Sequence, residues 1–253
     1  MSGTRSPSPR ARAISTLCKR SAILVSHGQP SEPDVAEAEL GLLRDSVATL
    51  LPEQTLLSAT MASRGALASA LEQAGPDPLI YPVFMTDGWF TQTALPQRLG
   101  GASARILPPL GVDPSLPQLA AGLLRLALAG RQWDAADTCL IIAAHGSGRS
   151  TNAARDTRTF AKALQRLMAF GEIRVGFIEE PPLLADILRD GGKKAACLPF
   201  FAARRDHVLD DLPKAFEQAH FQGLRLNPLG LHPSIPQLIA NALTAALSEE
   251  IAA

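Results

Sequence analysis

Two histidines and a glutamate, His145, Glu179 and His207, are singled out as candidate chemical groups by an internal duplication. The phrase Pro109-Leu-Gly-Val-Asp-Pro-Ser-Leu-Pro-Gln-Leu119 returns as Pro228-Leu-Gly-Leu-His-Pro-Ser-Ile-Pro-Gln-Leu238, with eight of eleven positions identical. A second pair, Ile23-Leu-Val-Ser-His-Gly28 and Ile141-Ile-Ala-Ala-His-Gly146, consists of apolar runs that both end in His-Gly. Sliding the chain by 117 to 119 residues pairs His27 with His145, Pro82 with Pro199, Pro96 with Pro213 and Pro109 with Pro228. In that register Glu179 faces Ala62 and His207 faces Phe90, so the second copy holds His/Glu/His and the first His/Ala/Phe. Two neutral imidazoles and a carboxylate suit divalent iron, cobalt, nickel or zinc with coordination positions left open. The same groups equally carry protons near neutral pH. No helix-borne His-x-x-x-His motif unites them, so only the fold can bring them together.

The elements that must do so alternate in type. In the first copy, short apolar strands over 22–26, 56–61, 79–85 and 105–107 alternate with helical patterns over 34–51, 63–71, 93–99 and 116–128. Ser63 is placed to cap the second of these helices, and Gly75-Pro76 stops it. The second copy repeats the order, with strands over 138–144, 173–178, 194–200 and 224–227 and helices over 153–170, 182–188, 209–219 and 235–251. Such alternation predicts an α/β fold of two similar tandem lobes, 21–130 and 137–253, each a parallel β-sheet flanked by helices. Ligands of such sheets sit beyond the carboxyl ends of the strands, where His27 and His145 fall, each in front of a glycine. His145, Glu179 and His207 follow the first three strands of the second copy, so one sheet edge can gather them. Glu179 and Glu180 are also placed to cap the helix that starts near Pro182.

Composition excludes several function classes. With 253 residues, 46% of them hydrophobic, and zero net charge, no global field favours nucleic acid or an anionic membrane. The apolar run 139–144 is far shorter than the roughly 20 residues needed to span a bilayer. Residues 1–20 carry Arg5, Arg10, Arg12, Lys19 and Arg20 without an acid or an apolar stretch, which reads as a disordered basic tail. Cys18, Cys139 and Cys197 are odd in number and form no Cys-x-x-Cys pair, which argues against a disulfide framework, a zinc ribbon or an iron–sulfur motif and fits a cytoplasmic protein. No Gly-x-Gly-x-x-Gly or Walker pattern is present, so no nucleotide is expected. The phosphoryl-transferring histidine families place an arginine directly before their His-Gly pair, whereas Ser26 and Ala144 stand there.

Four motifs in order, Ala144-His-Gly-Ser147, Phe177-Ile-Glu179, His207-Val-Leu-Asp-Asp-Leu-Pro213 after Leu198-Pro-Phe-Phe201, and Pro228-Leu-Gly-Leu-His-Pro233, carry a family resemblance. Over residues 21–250 the chain resembles the class II tetrapyrrole chelatases, specifically the sirohydrochlorin cobaltochelatase and ferrochelatase group. The resemblance implies two lobes facing each other across a cleft that holds an unmetallated tetrapyrrole. It implies insertion of Co2+ or Fe2+ without nucleotide hydrolysis, on the route to cobalamin or siroheme. Carried over by motif, His145 and His207 bind the metal and take up pyrrole protons, with Glu179 assisting.

The chain departs from that pattern in its first copy, where Ala62 and Phe90 replace the carboxylate and the second histidine, leaving the first lobe a degenerate metal site and His27 a substrate contact. Trp89, Phe90 and Met85 instead offer a flat apolar wall to a macrocycle. The substrate's many carboxylates call for cations, and Arg149, Arg155, Arg204 and Arg205 lie near the proposed metal residues in sequence. Backbone amides at Ser147 and Gly148 are further candidates for anion contact. His220 reads as a helix-terminus residue and His232 as a turn residue. A histidine-rich loop and a carboxyl-terminal cysteine cluster, present in some relatives, are missing, so no iron–sulfur centre is expected. A non-catalytic tetrapyrrole or metal carrier on the same fold is the rival expectation, and a homodimer is compatible with either.

Overall fold

The computed structural model describes residues 20–148, 151–205 and 207–252. Arg149 and all of the basic tail except Arg20 lie outside the described residues. The first sheet comprises β1 (Ala22–Ser26), β2 (Leu56–Thr60), β3 (Leu79–Pro82) and β4 (Arg105–Ile106), in the order β2-β1-β3-β4. Its sequence neighbours are α1 (Pro33–Leu50), α2 (Ala66–Ala74), α3 (Leu95–Leu99) and α4 (Leu116–Ala129). The second sheet comprises β5 (Cys139–Ala144), β6 (Glu172–Phe177), β7 (Ala195–Pro199) and β8 (Leu224–Arg225), in the order β6-β5-β7-β8. With it come α5 (Asn152–Leu167), α6 (Leu184–Arg189), α7 (Leu212–Gln218) and α8 (Ile235–Ala252).

All strand pairs are parallel and the two sheets share one topology. The apolar strands require it: Leu140, Ile141, Ile142 and Ala143 are fully buried, as strands covered on both faces must be. Below the second sheet's site, Ile141, Leu184, Leu188, Cys197, Leu212, Phe216 and Phe221 form one core cluster. The helix α5 buries Ala153, Ala154, Thr157, Phe160, Ala161 and Leu164 at helical spacing, with Asp156 as a carboxylate within that stripe. No helix of the described residues is long and apolar enough to cross a membrane.

The compact units do not follow the boundaries 21–130 and 137–253. One unit holds the chain up to Pro82, Gln97–Leu107 and Pro236 onward; the other holds Val83–Pro96 and Pro108–Ile235. The helix closing each copy therefore belongs with the sheet of the other. Within the first unit, Arg105 of β4 pairs with Glu249 at 2.9 Å and donates to the Ala246 carbonyl at 3.2 Å. Within the second, Arg125 of α4 donates to the Leu167 carbonyl at the end of α5 at 3.1 Å. A helix buries its apolar stripe against whichever face accepts it, and the duplication gives no sign of which sheet that is.

Two local expectations are also corrected. Ser63 does not cap α2: Gly65, at φ +79, precedes the helix with no side-chain cap, and the Ser63 hydroxyl bonds Thr60 and Pro33 instead. The helical segments expected over 93–99 and 209–219 begin earlier, each with a π-helical turn, Phe90–Ala94 and His207–Asp211. Both turns run directly into α3 and α7.

Candidate metal and proton site

The strand β5 sits at the centre of its sheet, between β6 and β7, so the loops leaving these three strands share one edge. This is the switch point at which open α/β sheets bind ligands. His145 follows β5 by one residue, Glu179 follows β6 by two, and His207 opens the π-helical turn after β7. Gly146 makes the sharp departure from β5 at φ +78. A Cβ there would lie 2.8 Å from Glu180 Cγ and 3.1 Å from Phe177 Cβ, so no side chain fits.

The aligned positions of the two copies are structurally equivalent. Glu179 N–H donates to the His145 carbonyl at 3.0 Å, as Ala62 N–H does to the His27 carbonyl at 2.9 Å. His145 Nδ1 and His27 Nδ1 each lie 2.9 Å from the carbonyl of the following glycine. Phe90 and His207 each open a π-helical turn. The first copy thus keeps the loop and one histidine but lacks the partners.

In the second copy the partners converge. His145 Nε2 and His207 Nε2 are 2.7 Å apart, and the rings meet edge to face with centroids 4.0 Å apart. His207 Nδ1 is 2.8 Å from Asp211 Oδ2. Both Nδ1 atoms face groups that only accept, a peptide carbonyl and a carboxylate, so both carry hydrogen. In neutral rings the two Nε2 atoms then point lone pairs at each other across 2.7 Å. That arrangement repels unless a cation, a shared proton or a metal ion, lies between them. Glu179 Oε2 is 3.6 Å from His145 Nδ1, and the three side chains each offer a ligand atom within 4.8 Å of the others. Side-chain exposures of 39% for His145, 37% for His207 and 49% for Glu179 leave the cluster open to an incoming ion.

The remaining candidates fall into place differently. Glu180 does not cap α6; its carboxylate accepts the Ser147 N–H at 2.9 Å and fixes the loop after His145. The Ser147 amide proposed for an anion is thus turned to Glu180, and α6 starts after Leu183 with no side-chain cap among the described residues. Arg204 donates to Asn227 at 3.1 Å, and Arg155 pairs with Asp156 at 3.0 Å. The Arg205 carbonyl accepts the N–H groups of Val208 and Leu209, starting the turn that carries His207. His220 has φ 48 just after α7, and His232 Nδ1 accepts the Ser234 N–H, so both have terminus or turn roles.

Trp89 and Phe90 come from the first copy but lie in the same compact unit as the histidine pair. Their rings meet edge to face at 5.1 Å, and Phe90 stacks on Phe84 at 5.9 Å. The first turn of α5 holds their loop: Asp156 Oδ2 accepts the Asp87 N–H at 2.8 Å and Asn152 Nδ2 donates to the Asp87 carbonyl at 2.9 Å. Asp87 in turn accepts from Thr91 Oγ1 and Gln92 Nε2. Sequence reasoning gave no role to Asp211, Asn152 or Asp156. For Asp211 a signal existed, since His207 and Asp211 are four apart and face each other on one helical side.

Comparison with known proteins fits this geometry. The family model CbiX matches residues 139–246. A solved structure of CbiX, the terminal enzyme for biosynthesis of siroheme in denitrifying bacteria, is 45% identical, with the match covering 90% of this chain and 99% of that one at a TM-score of 0.82. SirB from Bacillus subtilis with Fe3+ shares the fold at 15% identity and TM-score 0.72, covering 92% of this chain and 98% of its own. The sirohydrochlorin chelatase SirB from Bacillus subtilis subspecies spizizenii in complex with cobalt does so at 11% identity and TM-score 0.68, covering 91% of this chain and 96% of its own. No curated protein sequence matches the chain. With 45% identity to a CbiX along nearly the whole of both chains, and a metal-ligand cluster at the motif positions, this chain belongs to the CbiX family of class II tetrapyrrole chelatases.

Proposed function

We propose that the chain inserts a divalent metal, Co2+ or Fe2+, into sirohydrochlorin or a close relative, as a chelatase serving siroheme or cobalamin formation. The observation that carries the site assignment is the 2.7 Å approach of His145 Nε2 to His207 Nε2, with both Nδ1 atoms committed to acceptors. A divalent ion held by the two Nε2 atoms relieves the lone-pair repulsion between them. Two imidazoles and the nearby Glu179 carboxylate leave coordination positions open, so the ion can be passed on to ring nitrogens. As it leaves, the vacated Nε2 lone pairs become bases beside the ring N–H groups that must lose protons. One doubly charged ion moves to the ring nitrogens and the ring gives up two protons, which the imidazoles and the Glu179 carboxylate accept and pass to solvent, so charge balances across the exchange.

Trp89 and Phe90 are assigned to the apolar face of the macrocycle, and Arg204 and Arg205 to its carboxylated periphery. This exchange calls for no nucleotide and no iron–sulfur cluster, and a cytoplasmic location is part of the same proposal. Mixing the protein with metal-free sirohydrochlorin and Co2+ or Fe2+, and following the absorption spectrum, tests it. Faster metallation than the spontaneous reaction is expected, with the His145→Ala/His207→Ala double variant falling to the spontaneous rate. Tight macrocycle binding with an unchanged metallation rate would identify a carrier instead.

A further inference from the structure

Asp211 occupies a position that the scaffold does not need charged. The equivalent turn of the first copy, Phe90–Ala94, has the same π-helical form and runs into a helix in the same way, yet carries Ala94 where the second copy has Asp211. His207 and Asp211 are therefore both absent from the first copy, replaced by Phe90 and Ala94, and both present in the second. The carboxylate is spent on the histidine: Oδ2 lies 2.8 Å from His207 Nδ1, while the Lys214 ammonium is 3.9 Å from Oδ1. His145 needs no such partner, because its Nδ1 is held by the Gly146 carbonyl.

We propose that Asp211 is a positioning residue for the metal-handling pair, holding His207 with hydrogen on Nδ1 so that the Nε2 lone pair faces His145. The inference rests on the function proposed above for His145 and His207. Carboxylates behind metal-binding histidines fix ring orientation and tautomer, and their loss typically weakens metal binding about 10- to 100-fold. A turn that forms with alanine at this position in the first copy makes Asp211→Ala compatible with folding.

The test compares the unmodified protein with the Asp211→Ala, Asp211→Asn and Asp211→Glu variants, all without tetrapyrrole. Imidazole 15N shifts of His207 are expected to report the Nδ1–H form in the unmodified protein and a mixture of tautomers in Asp211→Ala. Cobalt titration followed by its visible absorption is expected to show about 10- to 100-fold weaker binding in Asp211→Ala. Asp211→Glu should recover part of the affinity, with thermal unfolding of the metal-free variants near that of the unmodified protein. An unchanged tautomer and unchanged cobalt affinity in Asp211→Ala overturns the inference, whatever the metallation assay gives. Metallation by the unmodified protein is read separately, so chelatase activity that survives alongside that result leaves the function standing without Asp211.

Discussion

At the scale of single residues, the site depends on groups that fill no core. Gly146 combines φ +78 with a space closed by Glu180 and Phe177, so Gly146→Ala should cost about 1–3 kcal/mol. Urea unfolding monitored by circular dichroism checks that range, and because the loop carries His145, cobalt binding should weaken as well. His207→Phe installs the residue that the first copy carries at this point, on a side chain 37% exposed. Its melting temperature should stay within a few degrees of the parent, while cobalt titration shows the paired-imidazole site lost. The histidines and Glu179 were legible because the duplication supplied an internal control: wherever one copy keeps a residue the other lacks, scaffold and chemistry separate. Asp211 was not singled out although its four-residue spacing from His207 was a signal; the π-helical turn is what aims its carboxylate at His207 Nδ1.

Among the elements, α5 does more than its amphipathic pattern suggests. Its periodicity predicts a buried stripe, and Asp156 reads as a polar interruption of that stripe. The structure turns the interruption into a clamp, with Asp156 and Asn152 gripping the N–H and C=O of Asp87 and so holding the loop of Trp89 and Phe90 to the helix that follows the His145 loop. Asp156→Ala leaves the Asp87 N–H without this acceptor and should destabilise by about 1–3 kcal/mol. The chain has two tryptophans, Trp89 and Trp133, so a shift in emission that persists in a Trp133→Phe background would report the freed loop. No change in emission or stability would mean that the clamp does not hold the loop. Strand and helix order was legible from apolar runs and helical spacing, whereas the π-helical turns were not, because a single wider turn leaves no period in the sequence. The same holds for Ser63, whose hydroxyl has an alternative in Thr60 that no local rule reveals.

For the whole molecule, the exchange of closing helices has a direct consequence. Residues from Pro236 onward belong with the first sheet, and Ile239, Ala240 and Leu243 are almost wholly buried. Deleting 236–253 should therefore lower hydrogen-exchange protection in β1 and β3, which end at Ser26 and Pro82, far away in sequence; loss confined to β5–β8 would contradict the division. Stability should also fall at alkaline pH. Burial pushes the Cys197 thiol from 9.0 up to about 12, so between these values the unfolded chain releases a proton that the folded chain retains. The stabilisation is complete below about pH 9 and is lost as pH rises toward 12, by about 1.4 kcal/mol per unit. Denaturant unfolding from pH 8 upward should show a steeper decline for the parent than for Cys197→Ala. The sequence by itself determined the duplicated α/β units and the residue types of the site, because apolar periodicity and repetition are local properties of a chain. Only the tertiary structure decided which compact unit each closing helix joins, which nitrogen of each histidine faces the other, and which carboxylates hold the rings and loops. Those are contacts between residues distant along the chain or set by the turn geometry, and burial and hydrogen-bond satisfaction select them only when the fold is complete.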